Sequence, residues 1–321
     1  MGRRSDFITI RPLNSAKKGG MNLDILLVKS RASGTLYIEK RIAKKHCDAS
    51  LHLRELLPMR QCQTHWNIIK YRAEDFTDYR RIGYGSIFMQ YCELGDISGL
   101  IKQYTAHKSF LPDEGFLWKV LSDMATALCH LYTGRNNDYI RRCAQSQQVV
   151  STMYGWNRII HRDIKPGNLF LTEKAVSRLP GRYWPTVVLG DFGLSTSLDD
   201  IARGRAGGKE NSGGTPGFEV PEAPHFCCRS DIYQLGLIIH CLARMRQEPD
   251  MGKPFDGNHP LPRCYRDAGL RDLLENCLRS DPDNRPLPSE LPMLVWKMRD
   301  AWRKANSHLR GGADLAKWAF G

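Results

Sequence analysis

At 321 residues, 41% of them hydrophobic and ten of them cysteine, the chain holds enough apolar material for a folded core of one or two domains. No apolar run approaches the roughly 20 residues of a bilayer span, no C-x-x-C pair suggests zinc or a disulfide frame, and without a secretory leader the thiols read as reduced and intracellular, cytoplasmic or nuclear. The formal charge of +13 is spread among acidic residues, densest at Lys40 to Lys45 and Arg299 to Arg310, with no nucleic-acid module beside it, so a solvated basic surface is expected and a nucleic-acid partner is not.

Residues 1–20, polar and basic through Lys18, read as a loose lead-in. Met1-Gly2-Arg3-Arg4-Ser5-Asp6 carries Asp where a myristoylation site needs Ser or Thr, so no membrane anchor is expected. The apolar run Leu23 to Ser30, the turn Arg31-Ala32-Ser33-Gly34 and the β-branched run Thr35 to Ile42 predict a hairpin with Lys40 near its end. A helix follows over Leu51 to Arg60, carrying Glu55; Pro58 removes one of its hydrogen bonds and predicts a kinked or short helix. Ser86 to Cys92 reads as a strand that runs into the turn Glu93-Leu94-Gly95-Asp96.

Asp113 is placed to cap a helix from Glu114 to Tyr132, whose Phe116, Leu117, Val120, Leu121, Met124 and Leu128 recur at helical spacing. The polar stretch 133–156 is longer than a simple connection needs and is expected to be an inserted flexible surface loop. Ile159 to Leu171 then sets Asp163, Lys165 and Asn168 in a short loop between two apolar runs. Val187 to Gly193 is an apolar strand ending in Asp191. Together these segments supply the parts for moving a phosphoryl group: a residue to orient a hydroxyl, a cation for developing charge and two oxygen donors for magnesium.

Ser195 to Val220 lacks an apolar period and is expected to be mobile. Asp231 to Ala243 is apolar around nearly its whole circumference, which predicts a buried helix. A last helix is predicted from Ser289 to Ala305, with Leu294, Val295, Met298 and Trp302 on one face. Residues 306–321 form a tail that either docks on the body or lies free.

His161, Arg162, Asp163, Lys165 and Asn168, followed by Asp191, Phe192 and Gly193, resemble the H-R-D-L-x-x-x-N and D-F-G signatures of the eukaryotic protein kinases. The resemblance extends over about Met21 to Ala305. Met89-Gln90-Tyr91-Cys92-Glu93-Leu94-Gly95-Asp96, taken with the catalytic loop, is most similar to the NIMA-related serine/threonine kinases. It implies an α+β, two-lobed protein kinase fold over residues 21–305, with a small β-rich N-lobe at about 21–90 and a larger helical C-lobe at about 93–305.

The function implied is ATP-dependent, magnesium-assisted phosphorylation of Ser/Thr hydroxyls on protein substrates. Lys165 marks the Ser/Thr type. Asp163 and Lys165 are the implied catalytic residues, and Asn168 and Asp191 the implied magnesium ligands. Lys40, in Leu36 to Lys40, would grip the phosphates and pair with Glu55, while Gly20, Ile25, Ile38, Met89, Gln90, Cys92 and Phe170 would complete the nucleotide site, Met89 as gatekeeper.

Thr215 would form the substrate-side wall near Asp163 and Lys165. Asp231 would brace the catalytic loop, and Glu222 would pair with Arg285. Ser212 or a neighbour would take an activating phosphate, from another kinase or by autophosphorylation, that pairs with Arg162. The glycine-rich loop departs from the family: Lys18-Gly19-Gly20-Met21-Asn22-Leu23 has leucine at the third glycine position, and Ile38 replaces the usual alanine. These departures keep open a second function, a pseudokinase or scaffold that binds nucleotide weakly.

Overall fold

A computed structural model describes residues 2–14, 22–173, 184–204, 214–249, 268–309 and 313–320. The first part is an antiparallel sheet of β1 (Phe7–Asn14), β2 (Asn22–Ser30), β3 (Leu36–Ala43), β4 (Tyr71–Asp75) and β5 (Tyr84–Gln90), in the order β1-β2-β3-β5-β4. Helices α1 (Lys44–Asp48), α2 (His52–Gln61) and α3 (Tyr79–Ile82) accompany it. The second part is helical, with α4 (Ile97–Ala106), α5 (Gly115–Thr133), α6 (Asn137–Gln145), α7 (Leu198–Ala202), α8 (Ser230–Arg244), α9 (Ala268–Cys277) and α10 (Leu291–Ala305). Two small ribbons sit between the parts: β6 (Ile159–Ile160) pairs β9 (Thr196–Ser197), and β7 (Leu169–Thr172) pairs β8 (Thr186–Leu189). This is the expected α+β, two-lobed arrangement.

The expected hairpin is β2 to β3, with Ile25 opposite Lys40 and Leu27 opposite Ile38. Helix α5 starts where Asp113 accepts the Gly115 N–H at 2.7 Å, and α8 is buried at every position from Ser230 to Ala243, as an all-round apolar helix must be. Gly134 ends α5 at φ +77°, and a Cβ there would stand 2.5 Å from the Trp156 ring. Only glycine serves both the turn and the close approach.

Three expectations fail. The lead-in contains an edge strand, β1, anchored by Phe7 stacked on Phe88 at 4.0 Å and by Arg4, which donates to Ser86, Asp78 and the Asp75 carbonyl. The apolar Phe7, Ile8 and Ile10 supply strand character, and Pro12 is tolerated because an edge strand has one side without a ladder. The stretch 133–156 is not a flexible loop, since it contains α6, capped by the Asn136 side chain on the Tyr139 N–H at 2.9 Å. Ile140, Cys143 and Val150 bury against Cys129 of α5, and this apolar contact outweighs the stretch's polar composition. The segment after Gly193 is structured at its start, where β9 pairs β6 and Ser197 caps α7; its centre, with Ser212, lies outside the described residues.

His65 and His130 stack in the core with ring centroids 4.7 Å apart. His65 Nδ1 accepts the Asn67 N–H at 3.2 Å, and His130 Nδ1 donates to the Arg135 carbonyl at 2.8 Å. Burial, then the neighbouring His130 and Lys70, hold His65 well below the usual imidazole range, and burial lowers His130 too. The folded state therefore keeps both rings neutral while the unfolded chain protonates them below its ordinary value. Their contribution is complete above about pH 6.5 and declines as pH falls below it, by at most about 1.4 kcal/mol per pH unit for each ring. Urea midpoints are expected to hold between pH 7.5 and about 6.5, to fall from there to pH 5, and to fall less steeply in His130→Gln, where only His65 remains. A pH-independent midpoint contradicts the assignment.

Candidate active site

The catalytic loop runs between β6 and β7 and is held from below by α8. The Asp231 carboxylate accepts the backbone N–H groups of His161 at 2.7 Å and Arg162 at 2.8 Å, and the Gln234 side-chain carbonyl accepts the N–H of Ile164 at 3.0 Å. These bonds hold Arg162 at φ +71°, a region that arginine avoids unless its surroundings impose it. His161 Nδ1 takes the Asp163 N–H at 3.4 Å, and its Nε2 donates to the Gly190 carbonyl at 3.0 Å. Its ring meets Phe192 edge-on at 4.8 Å. His161 thus supports the loop by packing.

Three side chains converge on the Asp163 carboxylate. Lys165 Nζ donates at 2.8 Å, Thr215 Oγ1 at 2.8 Å and Asn168 Nδ2 at 3.0 Å, and Lys165 also donates to Thr215 at 2.6 Å. Asn168 Nδ2 additionally donates to the Asp163 carbonyl at 2.8 Å. That commits the amide nitrogen and leaves Oδ1 as the atom able to ligate a cation.

Across the cleft, Lys40 Nζ on β3 donates to Glu55 of α2 at 2.7 Å and to Asp191 at 2.8 Å. Burial opposes the charge on Lys40, but Asp191 and Glu55 overcome it and raise its basicity. Burial likewise pushes the Asp191 carboxyl up, and Lys40, with His161 and Lys165, holds it down at about 2. Asp191 is therefore ionised at neutral pH. It sits at φ +61° directly after β8, and Gly190 before it must be glycine, since a Cβ there would lie 2.8 Å from the Phe170 ring.

Pro58 does not shorten α2, which runs the ten residues His52–Gln61 through it. Proline leaves the Arg54 carbonyl without its helical partner. The Ser195 hydroxyl donates to that carbonyl at 2.9 Å, so the defect becomes a tie between α2 and the residues just after Gly193.

A cavity of about 520 Å³ opens between the lobes, within the size range of small-molecule sites. Ile25, Ile38, Met89, Gln90, Cys92, Phe170, Lys40, Glu55, Asn168 and Asp191 all line it. Ile38 lies opposite Met89 in the β3 to β5 register, and both line the cavity. Gly20 lies outside the described residues. Asp163 and Lys165 are not on the cavity wall but adjoin it through Asn168. Sequence reasoning missed Leu13, Ile69, Ala319 and Phe320 as wall residues. The alternation of β1 was the one available signal, and it applied to Leu13.

Asn168 Oδ1 and ionised Asp191 are hard oxygen donors that fit magnesium, which needs few protein ligands because it keeps water and phosphate oxygens. No group of three or more His, Cys, Asp or Glu side chains suited to a metal occurs among the described residues.

Glu222 and Arg285 pair through two bonds of 2.8 Å. Arg162 is buried with its guanidinium 4.3 Å over the Phe226 ring. With Arg54 it lines a second cavity of about 380 Å³ between α2 and residues 195–200.

Fold and site together define a protein kinase. The family model described as the protein kinase domain matches residues 20–296, and the chain belongs to that family. It is of serine/threonine type and most like the NIMA-related kinases. It is 31% identical over 241 residues to the G2-specific protein kinase nimA of Emericella nidulans, covering 69% of this chain and 31% of that protein. Over 324 residues it is 25% identical to the probable serine/threonine-protein kinase nek2 of Dictyostelium discoideum, covering 93% of this chain and 65% of that protein. Over 306 residues it is 26% identical to the serine/threonine-protein kinase Nek2 of Homo sapiens, covering 88% of this chain and 59% of that protein. The chain therefore spans about a third of the length of the first of these relatives. No helix among the described residues is long and apolar enough to cross a membrane.

Proposed function

We propose that this chain transfers the γ-phosphoryl group of ATP to serine or threonine hydroxyls of protein substrates inside the cell. The observation that carries the reading is the convergence of Asp163, Lys165, Thr215 and Asn168 beside a cleft whose far wall holds the Lys40, Glu55 and Asp191 cluster.

In this reading Asp163 accepts a hydrogen bond from the acceptor hydroxyl and takes its proton as the bond to phosphorus forms. Lys165 and Thr215 orient that carboxylate, and Lys165 faces the charge developing on the transferred group. Lys40, fixed by Glu55, engages the phosphates of the nucleotide, whose base lies against Ile25, Ile38, Met89 and Phe170. Asn168 and Asp191 would hold magnesium, which offsets phosphate charge when bound. Phosphorylation at or near Ser212 is proposed as the activating event, supported by Arg54 and Arg162 lining the cavity beside residues 195–200, since guanidinium groups pair with phosphate oxygens.

The test is incubation of the purified chain with labelled ATP, magnesium and a generic protein such as casein. Label at serine or threonine of the chain or the casein is expected, together with a rise in melting temperature at millimolar ATP and magnesium. A shift without label, or neither, points instead to the scaffold reading that the altered glycine-rich loop and Ile38 keep open.

A further inference from the structure

Residues 313–320 reach the nucleotide cleft, where Ala319 and Phe320 stand in the same cavity wall as Lys40, Met89 and Asp191. The segment is anchored along its length. Trp184 Nε1 donates to the Ala313 carbonyl at 3.1 Å, and the Ala316 N–H donates to the Tyr104 hydroxyl at 3.3 Å. The Trp318 ring stacks on His107, just past the end of α4, at 4.0 Å with planes 11° apart and tilts against Tyr104 at 4.8 Å. Leu315 and Ala319 are buried in the main core. Such anchoring leaves the segment little freedom to swing, and the helix it rests on contributes Gly99, Leu100 and Gln103 to the same wall.

We propose that this segment is a built part of the nucleotide site and that Phe320 is a residue that sets its affinity for ATP. The inference rests on the proposed kinase function. The polar Lys40, Glu55 and Asp191 line the same cavity as Met89 and Phe320, and Phe320 adds an aromatic face that would exclude water from a bound base. Trp318 lines no part of the cavity and acts by holding the segment in place.

The full chain and its Phe320→Ala, Phe320→Tyr and Trp318→Ala variants would be titrated with ATP and magnesium by calorimetry and assayed for KM and kcat. Phe320→Ala is expected to weaken ATP binding about three- to tenfold and to raise KM more than it lowers kcat, while Phe320→Tyr restores affinity. Trp318→Ala is expected to weaken binding in the same direction, with a nucleotide-free melting temperature near that of the unaltered chain. ATP binding that is unchanged or tighter in Phe320→Ala overturns the proposal, tighter binding meaning that the segment obstructs the cleft. An unaltered chain that binds no ATP overturns the proposed function and this inference together, which separates the two kinds of failure.

Discussion

Asp163→Asn is expected to slow phosphoryl transfer about 10²- to 10⁴-fold, the range associated with loss of a positioned general base, while ATP binding stays within a factor of about two. The substitution conserves shape, and Asp163 is not on the wall of the nucleotide cavity. It changes what the side chain can do. The carboxylate accepts from Lys165, Thr215 and Asn168 at 2.8, 2.8 and 3.0 Å, whereas an amide has one acceptor oxygen and places an NH₂ against at least one of those donors. It also cannot take a proton at neutral pH. The comparison is between label transferred to casein and nucleotide affinity measured on the same preparations. Activity within threefold of the unaltered chain would remove Asp163 from the mechanism.

Arg285→Ala is expected to cost about 3 to 5 kcal/mol of stability, as loss of one partner from a buried ion pair does. The Arg285 side chain is fully buried and Glu222 nearly so. Five bonds use the five N–H donors of the guanidinium: two to Glu222, and one each to the carbonyls of Arg279, Arg229 and Ser280. Its plane also stacks 4.7 Å from the Tyr233 ring. Burial pushes the Glu222 carboxyl up, but Arg285 and Ser230 bring it below its ordinary value. Deleting the cation leaves that carboxylate buried without its counter-charge and three backbone carbonyls without their donor. Arg285→Lys keeps the charge but has three donors and no planar fork, so an intermediate loss is expected. Urea unfolding reads the difference directly, and thermal unfolding should place the alanine variant about 4 to 7 °C lower. An unchanged midpoint would show that the pair contributes little to stability.

The catalytic loop and the strand ending in Asp191 were legible because their chemistry is local. An aspartate, a lysine and an asparagine at fixed offsets within one short loop reach one point by connectivity alone, and the residue types state what they can do. Glu55 was legible through charge, being one of two acidic residues between Arg41 and Arg72 and the one within the helix predicted over Leu51 to Arg60. Pro58 was legible as a broken hydrogen bond, but its partner Ser195 lies 137 positions further on, and no local rule connects them.

Where the reading failed, burial had not been visible. Phe7 gains its reason to be in a strand from Phe88, and α6 gains its stability from Cys129 of the helix before it and from α10 much further on, contacts that the composition of either stretch does not show. Intrinsic preference for helix or strand amounts to tenths of a kcal/mol per residue, so a polar stretch takes whichever form lets its few apolar side chains leave water. The order of residues by itself determined which functional groups the protein owns and how the short loop presents three of them. Only the tertiary structure decided that Lys40 and Asp191 meet, that Arg285 finds its five acceptors and that Phe320 reaches the cleft, because each needs chain segments far apart to be closed into one core, and that closure is driven by the burial of surface that no single segment contains.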